Sequence, residues 1–297
     1  MPRRPNGDEF LFEWLNADAG VFFRRGRLLE SVATPYQELE VYETPQLKRM
    51  FRLDGCNMTS ERDEFFYHEN LVHPAALAQD APRSALVVGG GDGGSIEELL
   101  KHPSIERVVM AELDAEVVRV ARTHFHAVHR GALDDPRLEI RIGDGFAFLN
   151  ETHEEFDLVL MDLTDPVGPA EALYTKEFFR AADRVLSPAG TLSLHLGSPF
   201  FQPERFATGM QRLFETFAIV RPYFVHIPLY GANWGMACAS QRTDPLKLSV
   251  RDADIRLSER GIGCLQYFNG DMHCAGFALP NFVRKLVAAA SGLAGGT

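Results

Sequence analysis

From Ala85 onward the chain repeats one unit: a short apolar run, a polar or glycine-rich turn, then a stretch with helical spacing. The strand-like runs are Ala85–Val88, Val108–Ala111, Leu138–Ile142, Leu158–Met161, Thr191–Leu196, Ile219–Val225 and Trp234–Ala239. Ser95–Lys101, Ala115–Thr123, Thr175–Leu186 and Pro203–Phe217 read as the helices between them. Few folds admit such alternation. Each strand has to reach a neighbour through a covering helix, which predicts a doubly wound, mostly parallel α/β sheet. Leu158-Val159-Leu160-Met161 lacks any polar alternation and suits a central strand buried on both faces.

Before this region the pattern differs. Between about Gly20 and Asp63, short β-type runs (Val21–Phe23, Glu38–Tyr42, Arg49–Leu53) are broken by turns. Apolar and polar residues alternate cleanly over Tyr36–Tyr42, and Asp54-Gly55 is a hairpin turn signal. The expectation is a small antiparallel β-domain over residues 1–67, followed by a Rossmann-like domain over 68–297. A chain of 297 residues suits that division. The small, Gly-rich tail Ser291–Thr297 is expected to be mobile.

Charge narrows the partners. Forty-one acids against 30 basic residues give a net charge of −11. That balance disfavours nucleic acid, which is bound largely through Lys and Arg on phosphates, and favours small cations. The charged start Met1–Phe10 does not read as a secretory leader, and no apolar stretch approaches the roughly 20 residues that span a bilayer. Cys56, Cys238, Cys264 and Cys274 are scattered without a C-x-x-C pair, as expected of reduced thiols in a cytoplasmic protein.

The most informative letter lies in Gly89-Gly90-Gly91-Asp92-Gly93-Gly94, just after the first strand. A glycine-rich loop there usually cradles an anion, yet this one carries a carboxylate. Glu112 ends the next strand about 20 residues on, the usual place for an acid that holds ribose hydroxyls. Asp144-Gly145 follows the third strand, where a carboxylate could accept from an adenine amino group, and Asp162 ends the buried one. Together these point to an adenosine-containing ligand; the plainer alternative is that the glycines only permit tight turns and Glu112 is solvated. A pyrophosphate facing Asp92 would be costly in a low-dielectric pocket. Adenosine bearing a sulfonium fits better, and a ligand with an amine and no carboxylate is the natural guest for Asp92. In Asp162-Leu163-Thr164-Asp165-Pro166-Val167-Gly168-Pro169-Ala170, two carboxylates three residues apart can converge on one cation.

In these stretches the sequence resembles the polyamine aminopropyltransferases, the spermidine synthases above all. The resemblance also covers Tyr36-Gln37, Leu53-Asp54-Gly55, Glu61–Glu64 with Tyr67-His68-Glu69, Ile227–Tyr230, and Tyr267-Phe268-Asn269 through Leu279-Pro280. It runs in family order from about Gly20 to Leu286. It implies a methyltransferase-like Rossmann domain preceded by a β-domain, assembled as a homodimer or homotetramer. The implied reaction moves an aminopropyl group from decarboxylated S-adenosylmethionine, a co-substrate rather than a resident cofactor, to a diamine, typically putrescine. Carried over by position, Gln37, His68, Asp92, Glu112, Asp144 and Gly145 would bind the donor, with Pro169 against the thioadenosine. Asp162 would be the catalytic acid–base residue, and Tyr67, Asp165 and Tyr230 would hold the diamine with it.

Elementary chemistry agrees with that implication. Donor and acceptor are both polycations, so uniting them needs paired carboxylates and aromatic faces. Displacement at the carbon beside a sulfonium needs a neutral amine, and an ammonium with a pKa of about 10.4 yields its proton reluctantly to an ordinary Asp near 3.9. Asp162 would then need a raised pKa to serve.

Met58 and His195 stand where the family frequently has Gln. Both are expected near the substrates, His195 either titrating there or serving as a packing substitution. The loops around His226–Gly235 and Tyr67–Pro74 look somewhat like plant thermospermine synthases, which leaves spermidine, cadaverine and agmatine as further acceptors. Thr164–Tyr174 is the candidate lid. His124-x-His126-x-x-His129 invites a zinc reading but lacks a fourth ligand, so no metal is expected. A methyltransferase and a non-catalytic polyamine-binding module are the other classes; the acidic balance and the absence of an aromatic after Asp165-Pro166 disfavour the first.

Overall fold

The computed structural model describes residues 9–164 and 173–292. Strands β1 (Phe10–Trp14) and β2 (Gly20–Arg24) form an antiparallel hairpin. Strands β3 (Arg27–Ala33), β4 (Glu38–Thr44), β5 (Lys48–Leu53) and β6 (Cys56–Ser60) follow as an antiparallel meander in that order. Asp54 and Gly55 join β5 to β6 with φ of 49° and 79°. Two positive-φ residues match the right-handed twist of the strands they connect, so Asp-Gly is well chosen there.

The larger sheet contains β7 (Ser84–Gly89), β8 (Arg107–Glu112), β9 (Leu138–Ile142), β10 (Phe156–Asp162), β11 (Leu186–Gly197), β12 (Ile219–Ile227) and β13 (Ala232–Ser240). Its order is β12-β13-β11-β10-β7-β8-β9. Strands β11, β10, β7, β8 and β9 run parallel, and β13 is antiparallel to both β11 and β12. The sheet is therefore mostly parallel and methyltransferase-like, as the alternation predicted, with Ile219–Val225 and Trp234–Ala239 forming the antiparallel edge. Alternate residues of the central strands face opposite cores: Ala85, Val87, Leu158 and Leu160 enter one, Leu86, Val88, Val159 and Met161 the other.

Helices α1 (Glu64–Leu77) and α2 (Gly94–Leu100) lie beside each other on the first face. Helices α3 (Ala115–His124) and α4 (His126–His129) carry the small sheet: Leu39, Val41, Phe51 and Leu53 pack on Val117, Val120, Phe125 and Val128. The second core is covered by α5 (Gly145–Glu151), α6 (Lys176–Val185) and α7 (Pro203–Phe214), and by α10 (Asn281–Ala290) beyond α8 (Val250–Glu259) and α9 (Gly270–Gly276). No helix among the described residues is long and apolar enough to cross a membrane.

Helix α1 gives no periodic signal because it is buried nearly all round, Glu69, Asn70 and His73 included. Glu69 is satisfied by accepting from the backbone N–H groups of Gln266 (2.7 Å), Tyr267 (2.9 Å) and Phe268 (2.8 Å). The helix runs unbroken through Tyr67.

Candidate active site

The strand order reverses between β7 and β10, so the loops leaving their carboxyl ends diverge and open a crevice. A cleft of about 340 Å³ lies there. Gln37, Tyr67, His68, Asp92, Glu112, Asp144, Gly145, Asp162 and Tyr230 all line it. Asp165 and Pro169 lie outside the described residues, as does most of the Thr164–Tyr174 lid candidate. Tyr36, Phe51, Cys56, Met58, Val117 and Leu173 also line the cleft.

The glycine-rich loop is built for close approach. A Cβ at Gly94 would fall 2.2 Å from the His68 ring, and one at Gly91 would fall 2.8 Å from Glu112 Oε2. These glycines therefore admit side chains of the protein itself. Gly90 N–H donates to the Asp162 carbonyl at 2.8 Å, tying the loop to the end of β10.

Glu112 points back under this loop. Its two carboxylate oxygens accept from Gly91 N–H (3.2 Å) and Asp114 N–H (3.0 Å). Burial nevertheless pushes its pKa up to about 7, helped by the charges of Asp114 and Asp162. Asp114 in turn accepts from Gln37 Nε2 at 3.2 Å and from Thr34 Oγ1 at 2.7 Å, which joins the small sheet's segment to the Glu112 end of the cleft. Asp144 sits at the exposed mouth and caps α5 through Phe146 N–H at 2.7 Å.

At the other end, one ligand atom each from His68, Asp92 and Asp162 fit within 4.8 Å of one another. Both ring nitrogens of His68 face carboxylates: Nδ1 lies 2.9 Å from Glu64 Oε2 and Nε2 lies 3.4 Å from Asp92 Oδ2. Burial opposes charge on this ring, but Asp92 and Glu64 overcome it and hold the pKa well above the ordinary value. With His68 protonated, the trio is two acids braced by a cation. Arg130 pairs with the far side of Glu64 at 2.9 Å. Burial would raise Asp92, but the His68 charge beside it wins and lowers its pKa.

Asp162 behaves oppositely. Burial and the neighbouring Asp92 push its pKa up to about 6, against the pull of His68, a 2.6 Å hydrogen bond from Ser95 Oγ, and Tyr67. Tyr67 is buried, its hydroxyl has no partner of good geometry among the described residues, and burial followed by the Asp162 charge raises its pKa well above the tyrosine norm. Its ring lies 6.1 Å from that of Tyr230, whose hydroxyl donates to the Met58 carbonyl at 2.9 Å. Chemically, the floor offers a fixed negative charge, a carboxylate able to take a proton near neutrality, and two aromatic walls.

Ser95, Glu64 and Arg130 support the site without having been singled out as site residues. Ser95 was legible as the first turn of a helix after a glycine loop; Arg130 follows α4, and no local pattern marks it. His195 is 3% exposed and stands behind the cleft wall rather than lining it. Met58 does line the cleft. Of the three histidines of the zinc reading, His124 turns away to Glu30 at 2.5 Å; the rings of His126 and His129 lie 5.3 Å apart, with His129 Nδ1 accepting from Gly131 N–H at 3.1 Å.

A family model described as the spermine/spermidine synthase domain matches residues 64–248. A polyamine aminopropyltransferase of Nitrosomonas europaea is 48% identical over 280 residues, covering 94% of this chain and 86% of the relative. One from a Thermoanaerobacter species is 40% identical, covering 85% and 89% of the two chains. A spermidine synthase solved in complex with the transition state analogue AdoDATO superposes with a TM-score of 0.89 at 34% identity, over 96% of this chain and 97% of that one. The spermidine synthase of Thermotoga maritima gives a TM-score of 0.87, also at 34% identity, over 96% of each chain. With identity sustained over nearly its whole length, the chain belongs to the spermine/spermidine synthase family, the polyamine aminopropyltransferases.

Proposed function

We propose that the chain transfers the aminopropyl group of decarboxylated S-adenosylmethionine to putrescine, giving spermidine and 5′-methylthioadenosine. The observation that carries this reading is the pairing of Asp92 and Asp162 around one cleft end, the first held charged by His68 and the second raised to about 6. Glu112 would hold the ribose hydroxyls, Asp144 and Gly145 the adenine, and Gln37 the nucleoside from the β-domain side. Asp92, backed by His68, would take the donor's ammonium. Tyr67 and Tyr230 would flank the methylenes of the diamine, with Asp165 and Pro169 completing the acceptor and thioadenosine sides.

In the reaction, the amine nitrogen forms a bond to the carbon beside the sulfonium as the carbon–sulfur bond breaks, and that electron pair returns to sulfur to give a neutral thioether. That attack needs a neutral amine, so the acceptor ammonium first gives a proton to Asp162, which passes it to water. The new secondary amine then keeps the positive charge that the sulfonium gives up. A carboxylate near 6 is a far better acceptor than one near 3.9, and the burial that raises it also dries the reacting centre. Holding two cations in line should supply much of the rate.

The donor is consumed as a co-substrate, and no resident cofactor enters the scheme. We further propose self-association through the β1–β2 hairpin, which exposes Phe12, Trp14 and Phe22. Exposed thiols at Cys264 and Cys274 suit a cytoplasmic location. The test is methylthioadenosine release from decarboxylated S-adenosylmethionine with putrescine, cadaverine, agmatine or spermidine. Fastest turnover with putrescine is expected. Preference for another amine overturns the acceptor assignment, and turnover only with intact S-adenosylmethionine overturns the reaction.

A further inference from the structure

Strand β10 ends at Asp162, and its pairing with β11 stops at Met161 opposite Leu194. The Leu163 carbonyl therefore has no ladder partner at the moment the chain turns into the cleft wall. His195, one residue beyond that last pair on β11, supplies one: its Nε2 lies 2.8 Å from Leu163 O. Tyr174 Oη lies 2.9 Å from the same nitrogen, and on the other side of the ring Trp234 Nε1 lies 3.2 Å from Nδ1.

These contacts fix the proton. Indole N–H can only donate, so Nδ1 must accept; a carbonyl can only accept, so Nε2 must carry the hydrogen. The ring is neutral and locked in one tautomer, with the Tyr174 oxygen as a second acceptor beside Nε2–H. A second ring proton would set two N–H groups against each other in a site 3% exposed. We propose that His195 is a positioning residue for the amine-acceptor end of the cleft. By holding the first carbonyl after Asp162, it sets the course of the segment that carries Leu163 and Thr164 along the wall. Its ring also packs edge-on to Tyr67 at 6.0 Å, so the two walls of that end share one anchor. Among the described residues, no hydrogen bond joins His195 to Gly91, Glu112 or Asp144 at the nucleoside end.

The inference rests on the cleft being an aminopropyltransferase site, and the test separates the two. It compares His195→Leu, which removes all three of these contacts at similar bulk, with His195→Gln, whose amide can accept from Trp234 and donate to Leu163. Trp234→Phe, which removes only the bond to Nδ1, serves as the milder variant should His195→Leu not fold. Steady-state rates with the preferred amine are read beside equilibrium binding of methylthioadenosine. The expected result is a tenfold or greater rise in acceptor KM for His195→Leu, and a smaller rise for Trp234→Phe. Methylthioadenosine affinity stays within about twofold in both, and His195→Gln stays within about threefold of the parent. An unchanged acceptor KM in His195→Leu and Trp234→Phe overturns the proposal. So does a His195→Gln as impaired as His195→Leu, which would make the ring's bulk the cause. A parent enzyme inactive with every amine would instead overturn the functional reading itself.

Discussion

Glu112 carries a stability cost that pH should reveal. Its pKa rises from the ordinary 4.5 to about 7, chiefly through burial. Between those values the native state keeps a proton that the unfolded chain has released. The native state thus binds more protons, and stability falls as pH rises through that window. At about 1.4 kcal/mol per pH unit, the loss is about 3 kcal/mol once pH exceeds 7. Glu112→Gln removes the ionisation. It also sets one amide NH₂ against the N–H of Gly91 or Asp114, but the protonated carboxyl of the parent meets the same conflict at pH 5. The informative quantity is therefore a difference of differences: variant minus parent stability at pH 8.5, less the same at pH 5. It should be about +3 kcal/mol, seen as roughly 5 °C in the relative Tm of the unliganded proteins. Denaturant unfolding at both pH values measures it directly. An offset identical at the two pH values refutes the reasoning. Donor binding should be lost in the variant at pH 8.5, where the parent's Glu112 is charged and the ribose hydroxyls would meet that charge.

Three further outcomes are expected. Asp162→Asn should lower turnover by orders of magnitude with donor affinity little changed, and the parent's rate should fall below a pH of about 6 as Asp162 becomes protonated; near-normal turnover in stopped assays sinks its role. Ser95→Ala deletes a 2.6 Å hydrogen bond that lowers the Asp162 pKa, so the acid limb of the pH–rate profile should move upward. Glu69→Gln leaves an amide where three backbone N–H groups converge, and should cost about 3 kcal/mol or more in denaturant unfolding.

Much of the fold was legible because its strands are short apolar runs separated by helices with one wet face. Thr175 caps α6 through Phe178 N–H, and α3 begins after Asp114, both where periodicity and capping residues place them. Strands β1 and β3 escaped because their side chains are mostly half-exposed, which blurs alternation. Helix α1 escaped for the opposite reason, having no wet face at all. Within the site, the acids at strand ends were readable, because a ligand crevice lies where those strands stop. Their unequal charge was not: whether Asp92 or Asp162 keeps its proton depends on His68, seated by Glu64 and Arg130 from elements far apart in the chain. His195 shows the same limit. Its residue type fitted either titration or packing, and only Trp234 and Leu163 decide.

The loop from Gly89 to Gly94 has a consequence for how such a chain can change. The space a side chain would take at Gly94 is filled by His68, at Gly91 by Glu112, at Gly90 by Asp162 and Val87, and at Gly93 by His129 and Leu133. At each of those glycines the α-hydrogen in the Cβ position is one half of a steric pair whose other half is a named side chain. A methyl group gained there would push a particular acid or imidazole out of register, leaving the rest in place. Gly90 and Gly93, at φ of 73° and 81°, are held to glycine by the backbone as well; at Gly91 and Gly94 drift is permitted only in matched couples, and a relative bearing alanine at either should carry a smaller or displaced residue at its partner.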